Sequence, residues 1–360
     1  MVCTLANYGT FPVATTFCLL LSITSAEYLW NYYFYQDGSI EFEIRLTGIL
    51  QVYVAGPNEP TPYSVRIAPG INAQFHQHLF SVRIDPMVDG LANSVVETDV
   101  LPAAAGYGSS ENYAGNAFQV HDRVLRRASE GVRQWDATTD RRWRIVSAGK
   151  KHYASGQHTG YSIGVKGAVT PALPRPEGWV GRRATFTHNA LWVVREKEDE
   201  REGGRMWPSG KFVPQQREEP ADSLARWVRD DGDANIENED VLVYVTVGTT
   251  HIPRPEDWPV YVLSFFLPSG FSTLPLSCRR ELTKMELTCT GCPWTTSGLR
   301  LSRIASSLPT LVWMFPEGRT RKAYLPSVPI PLPQERTVAP ECGVQAPEMR
   351  ARAFMCVLAG

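Results

Sequence analysis

Two histidines stand two residues apart in Phe75-His76-Gln77-His78-Leu79-Phe80, inside an apolar run. If that run is a strand, side chains alternate and both imidazoles leave the same face. Two imidazoles on one face make half of a transition-metal site. The same pair also suits two polar residues on a solvated face. A metal needs a third ligand. One candidate is His251, which follows the strand-like Val241–Val247 within Thr246-Val247-Gly248-Thr249-Thr250-His251-Ile252-Pro253-Arg254-Pro255-Glu256-Asp257-Trp258-Pro259. The remaining histidines, His121, His152, His158 and His188, match no ligand spacing and read as surface or structural residues. The seven cysteines are Cys3, Cys18, Cys278, Cys289, Cys292, Cys342 and Cys356. None lies between residues 27 and 260, so a metal in the middle of the chain must use histidine and carboxylate.

These stretches resemble the copper-containing amine oxidases. That family carries His-x-His, then Phe and Arg-x-Asp, matched by His76, His78, Phe80, Arg83 and Asp85. It also carries Thr-x-Gly-x-x-His-x-x-x-x-Glu-Asp-x-Pro, matched at every fixed position from Thr246 to Pro259. A further motif, Thr/Ser-x-x-Asn-Tyr-Asp/Glu-Tyr, bears the tyrosine that becomes topaquinone. Thr4, Asn7 and Tyr8 match its first part, and Glu27-Tyr28 its end. The resemblance implies oxidation of a primary amine by O₂ to aldehyde, ammonia and hydrogen peroxide. It also implies Cu²⁺ held by His76, His78 and His251, topaquinone formed from Tyr8, and Asn7 and Glu27 beside that cofactor. Imidazole is a good ligand type for Cu²⁺.

Between Tyr8 and Glu27 the motif is broken by 18 residues, 9–26. Deleting them restores Thr-Leu-Ala-Asn-Tyr-Glu-Tyr-Leu-Trp-Asn-Tyr. The reading adopted is a translated intron, from a wrong gene model or a retained intron. Two other readings stay open. One is a signal-peptide core, since Phe17–Ile23 is apolar, although residues 1–10 hold no Lys or Arg. The other is a genuine loop. The apolar run is well below the roughly 18 residues that a membrane helix needs, so no membrane partner is expected.

Some family members bind a second cation, Ca²⁺ or Mn²⁺, through two aspartates and a carbonyl. Asp85 matches the first carboxylate and Asp240 would be a partner. Met87 stands where the second carboxylate would be. The family's catalytic aspartate lies far upstream of its cofactor tyrosine, and this chain starts seven residues before Tyr8, so the base is expected outside it. Family members are homodimers joined by β-hairpin arms, and residues 40–70 could supply one.

The elements that must position these residues read as β. Tyr28–Tyr35 is aromatic, Gln36–Ser39 is a turn, and Ile40–Leu46 alternates apolar and polar, which makes a hairpin. Ile49–Ala55 and Tyr63–Ile67 read as a second hairpin. Asn93–Val100, Trp143–Ser147, Tyr161–Val165, Ala184–Thr187 and Ala190–Val194 read as strands. Glu196–Glu202 is a charge run expected in an exposed loop, and Ser223–Val228 a short helix. Residues 261–360 contain no Asp, Asn or His and count 11 Lys and Arg against 6 Glu. They read as an unrelated tail with little packed structure. The organisation expected is therefore an interrupted start (1–26), a catalytic sandwich (27–260) and the tail. The fold class is all-β, a large antiparallel β-sandwich, incomplete, with an irregular tail. A net charge of −1 gives no footprint for nucleic acid. Val357-Leu358-Ala359-Gly360 carries no peroxisomal or retention signal, and the compartment is left unassigned. A non-catalytic copper-binding sandwich with unmodified Tyr8, and a secreted sandwich cleaved before Glu27, stand as alternatives.

Overall fold

The computed structural model of the protein describes residues 2–7, 14–23, 26–35, 38–57, 59, 62–165, 171–197, 205–210, 217–267 and 348–358, with backbone alone for 2–7, 14–23, 262–267 and 348–358. In chain order the strands are β1 (Val2–Asn7), β2 (Ala14–Ile23), β3 (Ala26–Tyr35), β4 (Ile40–Ile49), β5 (Val52–Val54), β6 (Ser64–Ala68), β7 (Ile71–Gln74), β8 (His76–Met87) and β9 (Asn93–Pro102). They continue with β10 (Phe118–Leu125), β11 (Val132–Arg133), β12 (Arg142–Lys151), β13 (His158–Ile163), β14 (Leu191–Arg195), β15 (Val241–His251), β16 (Val260–Leu267) and β17 (Glu348–Leu358). Among the described residues there are also two short helices, α1 (Trp179–Arg183) and α2 (Leu224–Asp230), and 3₁₀ turns at Thr185–His188 and Pro255–Asp257.

Four antiparallel sheets result, ordered β1-β2-β3-β4-β16, β11-β14-β15-β8-β17, β10-β9-β12-β13 and β5-β7-β6. The first two face each other across the main core. Alternation decides which residues enter it. From β3 and β4 come Tyr28, Trp30, Tyr32, Phe42, Ile44 and Leu46; from β8 and β15 come Phe80, Val82, Ile84, Val243, Val245 and Val247. The odd positions of β8 turn the other way, where Leu79 joins Trp192, Leu242 and Tyr244 under Phe186, Leu224 and Trp227. The sandwich is all-β, as the patterning predicts.

The structure differs from the sequence expectation in four places. Val52–Val54 and Ser64–Ala68 do not pair with each other; both pair with β7, which lies between them. Residues 185–188 form a 3₁₀ turn where a strand is expected. There Thr187 donates both its amide and its hydroxyl to the Ala184 carbonyl, a local bond that competes with sheet pairing. Glu196, the first residue of the charge run, is half-buried and pairs with Arg83 at 2.8 Å. Finally, β16 begins where the tail is expected to begin. It pairs with β4 from Val260↔Ile49 onward, and its Tyr261 is 3 % exposed in the core. Further along the tail β17 pairs with β8, while residues 268–347 lie outside the described residues. Among the described residues no helix is long and apolar enough to cross a membrane.

Gly248 sits on β15 opposite Leu79 of β8. A Cβ there would lie 2.2 Å from the carbonyl oxygen of His78 and 3.0 Å from the Leu79 Cα. Both are backbone atoms that cannot swing aside. Gly248→Ala should therefore destabilise the protein by about 1–3 kcal/mol, the usual scale of overpacking. A denaturant melt showing wild-type stability would refute this.

Candidate metal centre

Strand register brings the histidines together. β15 runs antiparallel to β8 with His251 opposite His76 and Thr249 opposite His78. His76 and His78 share a face because they are two residues apart. His251 stands across from the first and diagonal to the second, the two cross-strand positions whose side chains touch. The His76 ring centroid is 4.8 Å from that of His78 and 4.8 Å from that of His251. One nitrogen from each ring lies within 4.8 Å of the other two.

The opposite nitrogens are all held. His76 Nδ1 is 3.0 Å from the Gln74 carbonyl, His78 Nδ1 is 3.2 Å from the Tyr28 hydroxyl, and His251 Nε2 is 3.5 Å from the Asp257 carboxylate. What remains is His76 Nε2, 3.3 Å from His251 Nδ1, and His78 Nε2, which is buried without a partner. When the held nitrogens carry the protons, three lone pairs converge in a buried space. Two acceptors that close repel, and a cation between them relieves the repulsion. The donor set is all imidazole with no thiolate, which suits Cu²⁺ or Zn²⁺ and is poor for Ca²⁺. The residues therefore fit a copper ion, on geometry and on donor type.

Burial keeps the rings neutral. It pushes the His78 imidazole down to about 3, and the neighbouring His76 and His251 push the same way. His76 is also lowered, chiefly by burial against a smaller opposing effect of the Gln74 carbonyl. His251 is lowered by burial and by His76, and Asp257 opposes this. Asp257 itself is held below the usual carboxylate range by Arg254. Around the trio stand Tyr28, 1 % exposed, and Tyr261, whose ring centroid is 4.8 Å from that of His251.

With this geometry in view, the comparisons are decisive. The family profile described as copper amine oxidase, enzyme domain, matches residues 16–274. This chain belongs to the copper amine oxidase family. It is 35% identical over 242 residues to "Copper amine oxidase 1" of Schizosaccharomyces pombe, covering 67% of this chain and 33% of that protein. It is 36% identical over 283 residues to the peroxisomal primary amine oxidase of Pichia angusta, covering 77% and 39%. The histamine oxidase of Arthrobacter globiformis is 37% identical over 256 residues, covering 71% and 34%. Among solved structures, a copper-containing benzylamine oxidase from Hansenula polymorpha superposes with a TM-score of 0.64 at 28% identity, covering 73% of this chain and 40% of that one. The chain thus spans between a third and two-fifths of the length of the curated relatives it matches.

The other residues singled out in the sequence are placed as follows. Tyr8 lies outside the described residues. Asn7 ends β1 opposite Thr15, and Thr15 pairs with Phe34 of β3. Glu27, at the start of β3, is exposed. Seven residues of strand separate Glu27 from Phe34, roughly 23 Å at the usual rise, so the backbone sets Asn7 and Glu27 far apart. Asp85 accepts from Arg83 at 3.2 Å, and the Asp240 carbonyl accepts from the Glu196 amide. Arg83 bonds both Asp85 and Glu196. Tyr28 and Tyr261 were not picked out by spacing. The signal for Tyr28 was available, because a strand starting near Glu27 puts 28, 30 and 32 on one face; nothing in the sequence marks Tyr261.

The depressed histidines set a sign for pH. An unfolded histidine takes a proton near pH 6.5, whereas the folded trio resists it. The unfolded state thus binds more protons below that point, and stability falls as pH falls. This contribution is complete above the unfolded value and declines from about 6.5 toward about 3, the value for His78. The metal-free protein should melt at a lower temperature at about pH 5 than at about pH 7.5. In His78→Leu that pH dependence should shrink. An equal slope in the variant and the wild type would contradict it.

Proposed function

We propose that this chain carries the copper centre of a primary-amine oxidase, which converts a primary amine and O₂ to an aldehyde, ammonia and hydrogen peroxide. The observation that carries the reading is the convergence of three imidazoles, two buried and one half-buried, whose other nitrogens are all engaged, in a chain of this family. His76, His78 and His251 would hold Cu²⁺, and Tyr8 would be the precursor of topaquinone. When bound, these two groups supply the redox chemistry by taking electrons from the amine and passing them to O₂.

The chain's own residues do the positioning. Gln74, Tyr28 and Asp257 orient the rings, and outer partners of this kind fix the tautomer and strengthen the ligand. Tyr28 packs against His78 and Phe80, and Tyr261 against His251, so buried aromatic rings line the site. A low dielectric strengthens every interaction inside. The relatives are named for histamine and benzylamine among other amines, and the class proposed here is a primary amine. A homodimer with the arm β5-β7-β6 as reaching element is part of the same reading; the arm exposes Val54 at 85 % and Tyr63 at 80 %. A second cation, Ca²⁺ or Mn²⁺ at Asp85 and Asp240, would have to compete with an ion pair. Arg83 already neutralises Asp85, and Met87 offers no oxygen.

The reading treats 9–26 as an intron-derived insert. Deleting it brings Asn7 and Tyr8 beside Glu27. The phenol then takes the place on β3 that Ala26 now occupies, two residues from Tyr28 on the same face. The test joins a redox-cycling quinone stain to peptide mass analysis. The chain as written should bind copper and fail the stain, with Tyr8 plain tyrosine. A version lacking 9–26 and carrying a relative's upstream domains should pass, with the quinone mass at Tyr8. Failure of that second version to bind copper would refute the reading. A spliced transcript that encodes 9–26 would refute the insert.

A further inference from the structure

Resting on that metal centre, we infer that Tyr28 is a positioning residue for His78. Its phenol oxygen accepts the Nδ1–H of His78, and so turns the lone pair of Nε2 toward His76 and His251. Tyr28 comes from β3, in the sheet opposite the histidines, and its oxygen reaches across the sandwich to within 3.2 Å of His78 Nδ1.

A neutral imidazole carries one proton on its two nitrogens. With the proton on Nε2, a buried N–H would face no acceptor, because that atom has no hydrogen-bond partner. An orphaned donor of this kind is costly. With the proton on Nδ1, the Tyr28 oxygen receives it and Nε2 is free for a metal. The phenol itself cannot swing away. Its ring packs edge-on against Phe80 and His78 at centroid distances of 5.9 Å, and stacks with Trp30 at 6.1 Å.

The three ligand rings are thus held by three different chemistries: a main-chain carbonyl, a carboxylate and a phenol. The phenol alone belongs to the facing sheet. Copper affinity is thereby tied to the closure of the sandwich, and β3 contributes to the metal site without supplying a ligand.

Tyr28→Phe deletes the oxygen and keeps the ring. In the full chain it should weaken Cu²⁺ binding about 10–100-fold, the range for loss of an outer partner. Binding is read by titration against a competing chelator. The electron paramagnetic resonance spectrum of the bound Cu²⁺ should change its nitrogen couplings, and the metal-free variant should melt lower, because His78 then keeps a buried donor without an acceptor. Wild-type affinity and spectrum in the variant would overturn the inference and leave the metal centre standing. Absence of copper binding in the wild-type chain would overturn both. Histidine ¹⁵N shifts of the metal-free wild type give an arm that needs no variant. They should report His78 protonated at Nδ1, and protonation at Nε2 would overturn the inference.

Discussion

The register between β8 and β15 is the constraint on which the site depends. His76 faces His251 only because Leu79 pairs with Gly248 and Val82 with Val245 along the same ladder. A slip of one residue would carry every side chain of one strand to the other face. His251 would then enter the layer beneath Phe186 and Trp227, and the valines of β15 would leave the core. Burying Val243, Val245 and Val247 on one face and Leu242 and Tyr244 on the other therefore fixes the placing of the three histidines together with the fold. Gly248 makes the close approach possible, since any Cβ there meets the His78 main chain.

Strand β8 also separates two electrostatic environments by alternation alone. Its even positions carry His76 and His78 and then the core residues Phe80, Val82 and Ile84. Arg83 lies on the opposite face with Glu196 and the main chain of Arg205. Arg205 and Asp231 form a second ion pair there, with Trp227 beneath the guanidinium. The thickness of a sheet thus lies between a region crowded with fixed charge and a region whose imidazoles are neutral. A guanidinium on the inner face would oppose a divalent cation, and a carboxylate beyond Asp257 would favour harder ions. The fitness of the trio for an imidazole-binding divalent ion is set as much by what the alternation keeps away as by the rings themselves.

Much of this was legible in the residues. The strand at 40–46 follows from period-two alternation, 241–247 reads as strand-like, and His76 and His78 share a face if their run is a strand; that His251 completes the set is implied by the family resemblance. What escaped has physical reasons. Pairing partners of short strands such as β5 and β6 depend on β7, which has weak alternation of its own. The turn at 185–188 looks like a strand because Thr and Phe favour strands, and a side-chain bond to Ala184 decides otherwise. Glu196 reads as one of a run of solvated charges, while its fate is set by Arg83, 113 residues away in sequence. Tyr261 enters the core because β16 pairs with β4, a contact spanning more than 200 residues that no local pattern encodes.

The interrupted cofactor motif is where sequence and structure bear on each other most directly. A strand has one residue per position, so β3 must fill the place before Glu27 with whatever precedes it. Here that residue is Ala26, and the phenol facing the histidines is Tyr28. β2 occupies the sheet between β1 and β3 through an unbroken ladder from Ala14↔Tyr35 to Ile23↔Ala26. Ten apolar and hydroxyl residues, with three Leu and two Thr among them, pair well with any neighbouring strand, whatever their origin. Pairing therefore carries no information about whether the stretch belongs. On the proposed reading the motif does, because Asn7 and Glu27 can flank one tyrosine only when they are two residues apart. The two parts of the proposed site thus depend on the chain differently. The histidine face is set by long-range register between β8 and β15, which residues 9–26 do not enter. The proposed cofactor motif depends on adjacency, which residues 9–26 interrupt.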